Sequence, residues 1–162
     1  MSDMTAESET APYKRKNIAF YHVKSGSIMD IVCVLLGKIL ASDKKSVIRV
    51  SHQDMLATVD AALWNNAKDL FLPHALPDDD RADMHPIYCT TQMDNRNQSE
   101  FLLLLGNAPY HHDDDYERIL LIFSEGNADD VGYARNLWKA LHQNNDLTYW
   151  IQNDSGRWEQ KL

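Results

Sequence analysis

The chain has 162 residues, 44% of them hydrophobic and 25% charged, and a formal net charge of -8. That length suits one domain with a real core and not two, while the acidic balance disfavours direct binding of DNA or RNA, whose phosphates are neutralised by Lys and Arg. No stretch approaches the roughly 20 apolar residues of a membrane span, and two isolated cysteines without a secretory leader point to a soluble, cytoplasmic protein with both thiols reduced and buried.

Residues 1–16, acidic from Met1 to Thr10 and basic at Lys14, Arg15 and Lys16, lack apolar periodicity and read as a disordered tail ahead of a single domain over 17–162. Asn17 to Val23 alternates Ile18, Phe20 and His22 against Ala19, Tyr21 and Val23, the pattern of a strand covered on both faces. Ile28, Ile31, Val32, Leu35, Leu36, Ile39 and Leu40 recur at three and four and predict a helix over 28–40, with Ser27 as N-cap. Ser46 to Val50 reads as the next strand. Gln53 to Asn65 reads as a helix whose apolar face is Met55, Leu56, Val59, Ala62 and Leu63.

A loop rich in Pro and Asp follows, with three strand-like runs beyond it: Ile87 to Thr91, Glu100 to Leu105 and Arg118 to Phe123. The last two are near-continuous apolar runs suited to the centre of a sheet. A helix over Ala128 to Gln143 is entered through Asn127 or a neighbour as cap, with Asp129 and Asp130 in its first turn, where the helix dipole favours anions. Leu147 to Gln152 and the segment around Trp158 close the sheet as a strand or hairpin. Strands alternating with helices predict an α/β, three-layer domain with a mostly parallel mixed sheet.

The fold is Rossmann-like without a nucleotide-binding motif. Gly37-Lys38 is followed by Ile39 and has Val32 where a phosphate loop needs glycine, and no Gly-x-Gly-x-x-Gly follows the first strand. His111, His112 and Asp113 to Asp115 carry metal-capable side chains, which leaves a small metal-dependent hydrolase as the alternative reading. Consecutive residues in one loop rarely converge on an ion, so a solvated turn is expected there, as at Asp78 to Asp80. No nucleophile elbow or comparable arrangement appears, and no catalytic residue, metal or cofactor is expected.

Two surfaces stand out instead. Arg135, Trp138, Lys139 and His142 stand three and four apart, with Val131 one turn earlier, so they share one flank of the last helix beside a core stripe of Ala134, Leu137 and Leu141. A guanidinium for a carboxylate, a second cation and an indole wall suit an acidic peptide with an apolar end. The second surface is Trp64 with Phe71, Leu72, Pro73 and His74. Trp64 falls off the apolar stripe of its helix, and an exposed indole and phenyl pair usually marks a partner surface.

The order and spacing of four segments resemble the chi subunit family of bacterial DNA polymerase III over nearly all of residues 17–158: Ala19-Phe20-Tyr21; Val59 to Trp64; Phe71-Leu72-Pro73-His74; and Ala134-Arg135 followed by Trp138-Lys139-Ala140. The resemblance implies a noncatalytic accessory subunit of the clamp-loader complex within a DNA-directed DNA polymerase holoenzyme. Such a subunit links the replisome to single-stranded DNA-binding protein by gripping that protein's acidic C-terminal tail, and meets DNA only indirectly. By that resemblance the tail site is Val131, Arg135, Trp138, Lys139 and His142. Trp64, Phe71, Leu72 and Pro73 take the psi subunit of the clamp loader or a repair helicase. Where the family commonly has Tyr this chain has Trp138, and His142 and Val131 stand where the family carries or neighbours basic residues.

Overall fold

A computed structural model of the chain describes residues 14–65 and 71–162. The expected disordered tail lies outside the described residues except for 14–16. There, Arg15 Nε binds Asp146 at 3.1 Å and the Lys16 amide donates to Asn145 Oδ1 at 3.1 Å.

The described residues form strands β1 (Asn17–Val23), β2 (Ser46–Arg49), β3 (His74–Ala75), β4 (Ile87–Thr90), β5 (Phe101–Leu105), β6 (Arg118–Ser124), β7 (Asp146–Gln152) and β8 (Trp158–Gln160). Helices are α1 (Ile28–Ala41), α2 (Gln53–Asn65) and α3 (Ala128–Leu141), with one 3-10 turn at Ala82–Met84. All strands join one sheet in the order β3-β4-β2-β5-β6-β1-β7-β8, parallel throughout except for β8, which returns antiparallel on β7. The mostly parallel mixed sheet expected from the alternation of elements is therefore present.

Residue alternation in the strands divides the core into two layers. Ala19, Val23, Ile48, Cys89, Leu103, Leu105 and Ile122 meet Val32 and Leu36 of α1 and Val59 and Leu63 of α2. On the opposite face Ile18, Phe20, Val47, Leu102, Leu104, Leu121 and Phe123 meet Ala134, Leu137 and Trp138 of α3. The apolar runs of β5 and β6 lie centrally because both of their faces are covered. Both cysteines are buried and free, and burial pushes the Cys89 thiol up to about 12, which keeps it unreactive as a thiolate nucleophile.

One strand departs from the sequence reading. His74 and Ala75, read as loop, pair with Ile87 and Tyr88 as the parallel edge strand β3. Two residues carry no period-2 signal, so only the neighbouring strand reveals the pairing.

Candidate functional site

The flank of α3 acquires its geometry from three local anchors. Asn127 caps the helix, its side chain accepting from the Asp130 amide at 3.1 Å. The Tyr133 hydroxyl donates to the Ala108 carbonyl at 2.9 Å and accepts from the Tyr110 amide at 3.2 Å, fixing α3 against the β5–β6 loop. Gly106 begins that loop at φ 63°, and a Cβ there would stand 2.8 Å from Asp130 Oδ2. A side chain at this position therefore meets both an unfavourable backbone and the helix N-terminus.

Parallel pairing supplies the floor beneath the flank. Phe20 of β1 is opposite Leu121 of β6 and Tyr149 of β7, and His22 is opposite Phe123, so Phe20, His22, Phe123 and Tyr149 face α3 together. The result is a groove of about 220 Å³ lined by His22, Phe123 and Tyr149 from the sheet, and by Val131, Ala134, Arg135, Trp138 and Lys139 from α3, with Leu162 at its edge. Trp138 is half-buried and forms the wall. Its ring stands edge-on to Phe20 at 5.2 Å and to Tyr149 at 6.0 Å. Arg135 and Lys139 are exposed at the rim.

Four of the five residues read from the helix flank thus line one groove. His142 does not. It is the C-cap residue, its Nδ1 3.3 Å from the Trp138 carbonyl and 3.2 Å from that of Lys139, so its side chain turns back on the helix end. The core stripe is also thinner than the periodicity implies: in α3 only Ala134 is fully buried, while Leu137 and Leu141 are half-buried.

Nothing in the local sequence pattern marks His22, Phe123 and Tyr149 as site residues. The alternation of β1 puts His22 in phase with Phe20, which is the one available signal, but the strand beside it is set by tertiary pairing. His22 Nδ1 lies 2.5 Å from the Tyr149 hydroxyl, and its Nε2 lies 3.4 Å from Glu125 Oε1, an ion-pair distance without an aligned hydrogen bond. Burial pushes the His22 imidazole below its ordinary value, outweighing the upward pull of Glu125, and Lys24 adds to the fall. Burial also raises the Tyr149 phenol, while Arg135 opposes that rise, so the Arg135 charge is felt at the groove floor.

The second surface forms where α2 ends. Leu56, Val59 and Leu63 face the core, and Trp64, one step of about 100° further round, is left 60% exposed. Phe71 is 73% exposed. Residues 66–70 between them lie outside the described residues. Leu72, expected on this surface, is instead 2% exposed and packed in the core, and Pro73 is half-buried. His74 is buried under Trp64, with ring centroids 4.9 Å apart; its Nε2 is 2.7 Å from Asp60 Oδ1 and its Nδ1 2.8 Å from the Leu72 carbonyl.

The loop from His111 to Asp115 is a structural clamp. Arg49, fully buried at the end of β2, binds both carboxylate oxygens of buried Asp114 at 2.9 and 2.8 Å and donates to the carbonyls of Pro109 and Gln92. Asp114 Oδ2, the oxygen bound by Arg49 Nη1, also accepts from the His111 amide at 2.9 Å. Asp114 is thereby committed to Arg49. Among the described residues no cluster of three His, Cys, Asp or Glu side chains is placed to hold a metal, and the geometry does not favour the hydrolase alternative.

Helices on both faces of a mostly parallel sheet define the class: a three-layer α/β domain. The chain belongs to the DNA polymerase III chi subunit family, whose model, described as DNA polymerase III chi subunit, HolC, matches residues 16–147. It is also similar to the probable DNA polymerase III subunit chi of Rickettsia prowazekii (strain Madrid E), with 24% identity over 90 residues. That match covers 56% of this chain and 54% of the relative, so it spans about half the length of each. Among the described residues no helix is long and apolar enough to cross a membrane.

Proposed function

We propose that the chain serves as a noncatalytic accessory subunit of a bacterial DNA polymerase III clamp-loader complex, and that the α3 groove grips the acidic C-terminal tail of single-stranded DNA-binding protein. The observation that carries this reading is convergence. Arg135 and Lys139 stand over an apolar groove walled by Trp138 and Val131 on a chain whose formal net charge is -8. A peptide ending in an apolar residue sets that residue against Trp138, while its carboxylates meet the two rim cations. Trp64 and Phe71 form the second contact, for the psi subunit of the clamp loader or a repair helicase.

Because both rim cations are exposed, each contact contributes about 1 kcal/mol and falls with added salt. Micromolar affinity follows, about -8 kcal/mol in total, much of it from the buried apolar terminus. The test is a fluorescence anisotropy titration with a labelled acidic peptide ending in a free aromatic residue, against the same peptide amidated at its C-terminus. The amidated peptide is expected to bind more weakly. Undiminished affinity in the Arg135→Ala, Lys139→Ala double variant would sink the assignment of the groove.

A further inference from the structure

The aromatic pair at the end of α2 continues into a charged groove. Trp64 packs against His74 with the two rings tilted by 54°, and His74 Nε2 bonds to Asp60, whose side chain keeps 36% of its surface exposed. Asp60 in turn lines a groove of about 600 Å³, which Asp54 and Gln53 of α2 share with Leu76, Pro77 and Asp78 after β3. Asp54 and Asp78 are exposed, and among the described residues no Lys, Arg or His lines the groove. Arg96 braces the same loop by donating to the carbonyls of Pro77 and Asp79, but it does not line the groove.

Apolar and anionic features are therefore contiguous, linked by the chain Trp64, His74, Asp60. A segment covering Trp64 and Phe71 that extends toward β3 passes over three carboxylates. Covering them with apolar or acidic residues removes their water and returns nothing, whereas cations recover the lost solvation as charge-assisted hydrogen bonds.

We infer that the protein segment docking on Trp64 and Phe71 is both apolar and basic: its apolar side chains seat on the aromatic pair and its Lys or Arg side chains lie along Asp60, Asp54 and Asp78. The inference rests on the reading of Trp64 and Phe71 as a partner surface and adds the chemistry of that partner. Its charge is opposite to that of the acidic tail proposed for the α3 groove, so the two surfaces select different ligands.

The test places a photo-crosslinking amino acid at Phe71 in the full chain, expressed in its native cells, and identifies the crosslinked peptide by mass spectrometry. The expected segment carries two or more Lys or Arg residues within about ten positions of the crosslink, together with apolar residues. Asp54→Lys with Asp78→Lys is expected to lower the crosslink yield at least tenfold, and the milder Asp54→Asn with Asp78→Asn to lower it less, with the fold of each verified by thermal melting. A crosslinked segment that is neutral or acidic, a crosslink to a second copy of this chain, or an unchanged yield in the Lys variant overturns the basic-partner inference alone. No crosslink from position 71, or a yield unaffected by Trp64→Ala, overturns the docking reading beneath it as well.

Discussion

The Trp138 indole stands edge-on to Phe20, ring centroids 5.2 Å apart at 72°, which ties the wall of the α3 groove to the buried centre of β1. The proposed binding surface and the core share this residue. Replacing it therefore changes two measurable quantities. Trp138→Ala is expected to cost about 2 kcal/mol of stability, less than the roughly 3–5 kcal/mol of a fully buried Trp, and to weaken the acidic peptide. Trp138→Tyr preserves a ring and is expected to cost less than about 1.5 kcal/mol. Urea melts and peptide titrations on the two variants check both quantities.

The rim cations act through charge with little packing. Arg135→Ala alone is expected to lower peptide affinity about fivefold, roughly 1 kcal/mol, and leave unfolding midpoints almost unchanged. The difference between wild type and variant should shrink as salt rises from about 0.05 M to about 0.5 M, because a shorter screening length erases what the guanidinium contributes. His142→Ala should weaken the peptide less than Arg135→Ala, since the imidazole faces the end of α3 and lies outside the groove.

His22 predicts a pH dependence. Its folded-state pKa lies below the ordinary 6.5, with burial the main cause. The unfolded chain therefore binds the proton more readily, and stability rises with pH through that interval. The contribution of His22 is complete above about pH 6.5 and is lost as pH falls through the unfolded and then the folded value. Chemical denaturation at pH 7.5 and 5.5 tests this. The stability difference between the two pH values should be smaller in His22→Gln than in wild type, and an equal difference would remove His22 as the cause.

Asp114 holds the fully buried Arg49 guanidinium through two short bonds. Asp114→Ala leaves that charge without its counterion and is expected to cost about 3–5 kcal/mol. A double change, Arg49→Met with Asp114→Leu, removes both charges and should recover much of the loss. Urea titration of the single and double variants distinguishes a structural clamp from a loop whose residues act independently.

Trp64 is 60% exposed, so its removal should leave the fold nearly intact. Trp64→Ala is expected to change stability by no more than about 1 kcal/mol, mainly through its contact with His74, while lowering capture of the proposed partner, the psi subunit or a helicase, at least tenfold. Native complex isolation with wild type and variant reads the second effect directly.

Much of this was legible in the residues. Apolar spacing in 28–40 and 53–65, the cap at Asn127 and the continuous apolar runs of β5 and β6 marked the elements, because helical and strand periods are local properties. Spacing of three and four also placed Val131, Arg135, Trp138 and Lys139 on one flank, since helix geometry alone fixes that adjacency. Four short segments, from Ala19-Phe20-Tyr21 to Trp138-Lys139-Ala140, carry the family resemblance.

Long-range pairing decided the rest. His22, Phe123 and Tyr149 become the floor of the groove because β1 lies between β6 and β7, and no local pattern encodes which strand is a neighbour. His142 turns away because it caps the end of α3, its amide donating to the Trp138 carbonyl while its ring reaches the carbonyls of Trp138 and Lys139. Leu72 enters the core while Phe71 beside it stays exposed, and His111 to Asp115 closes on Arg49 from β2, a residue 65 positions before Asp114. By itself the sequence determined which surfaces exist on each helix; the tertiary structure determined what stands opposite them, because burial and strand order depend on contacts between distant parts of the chain.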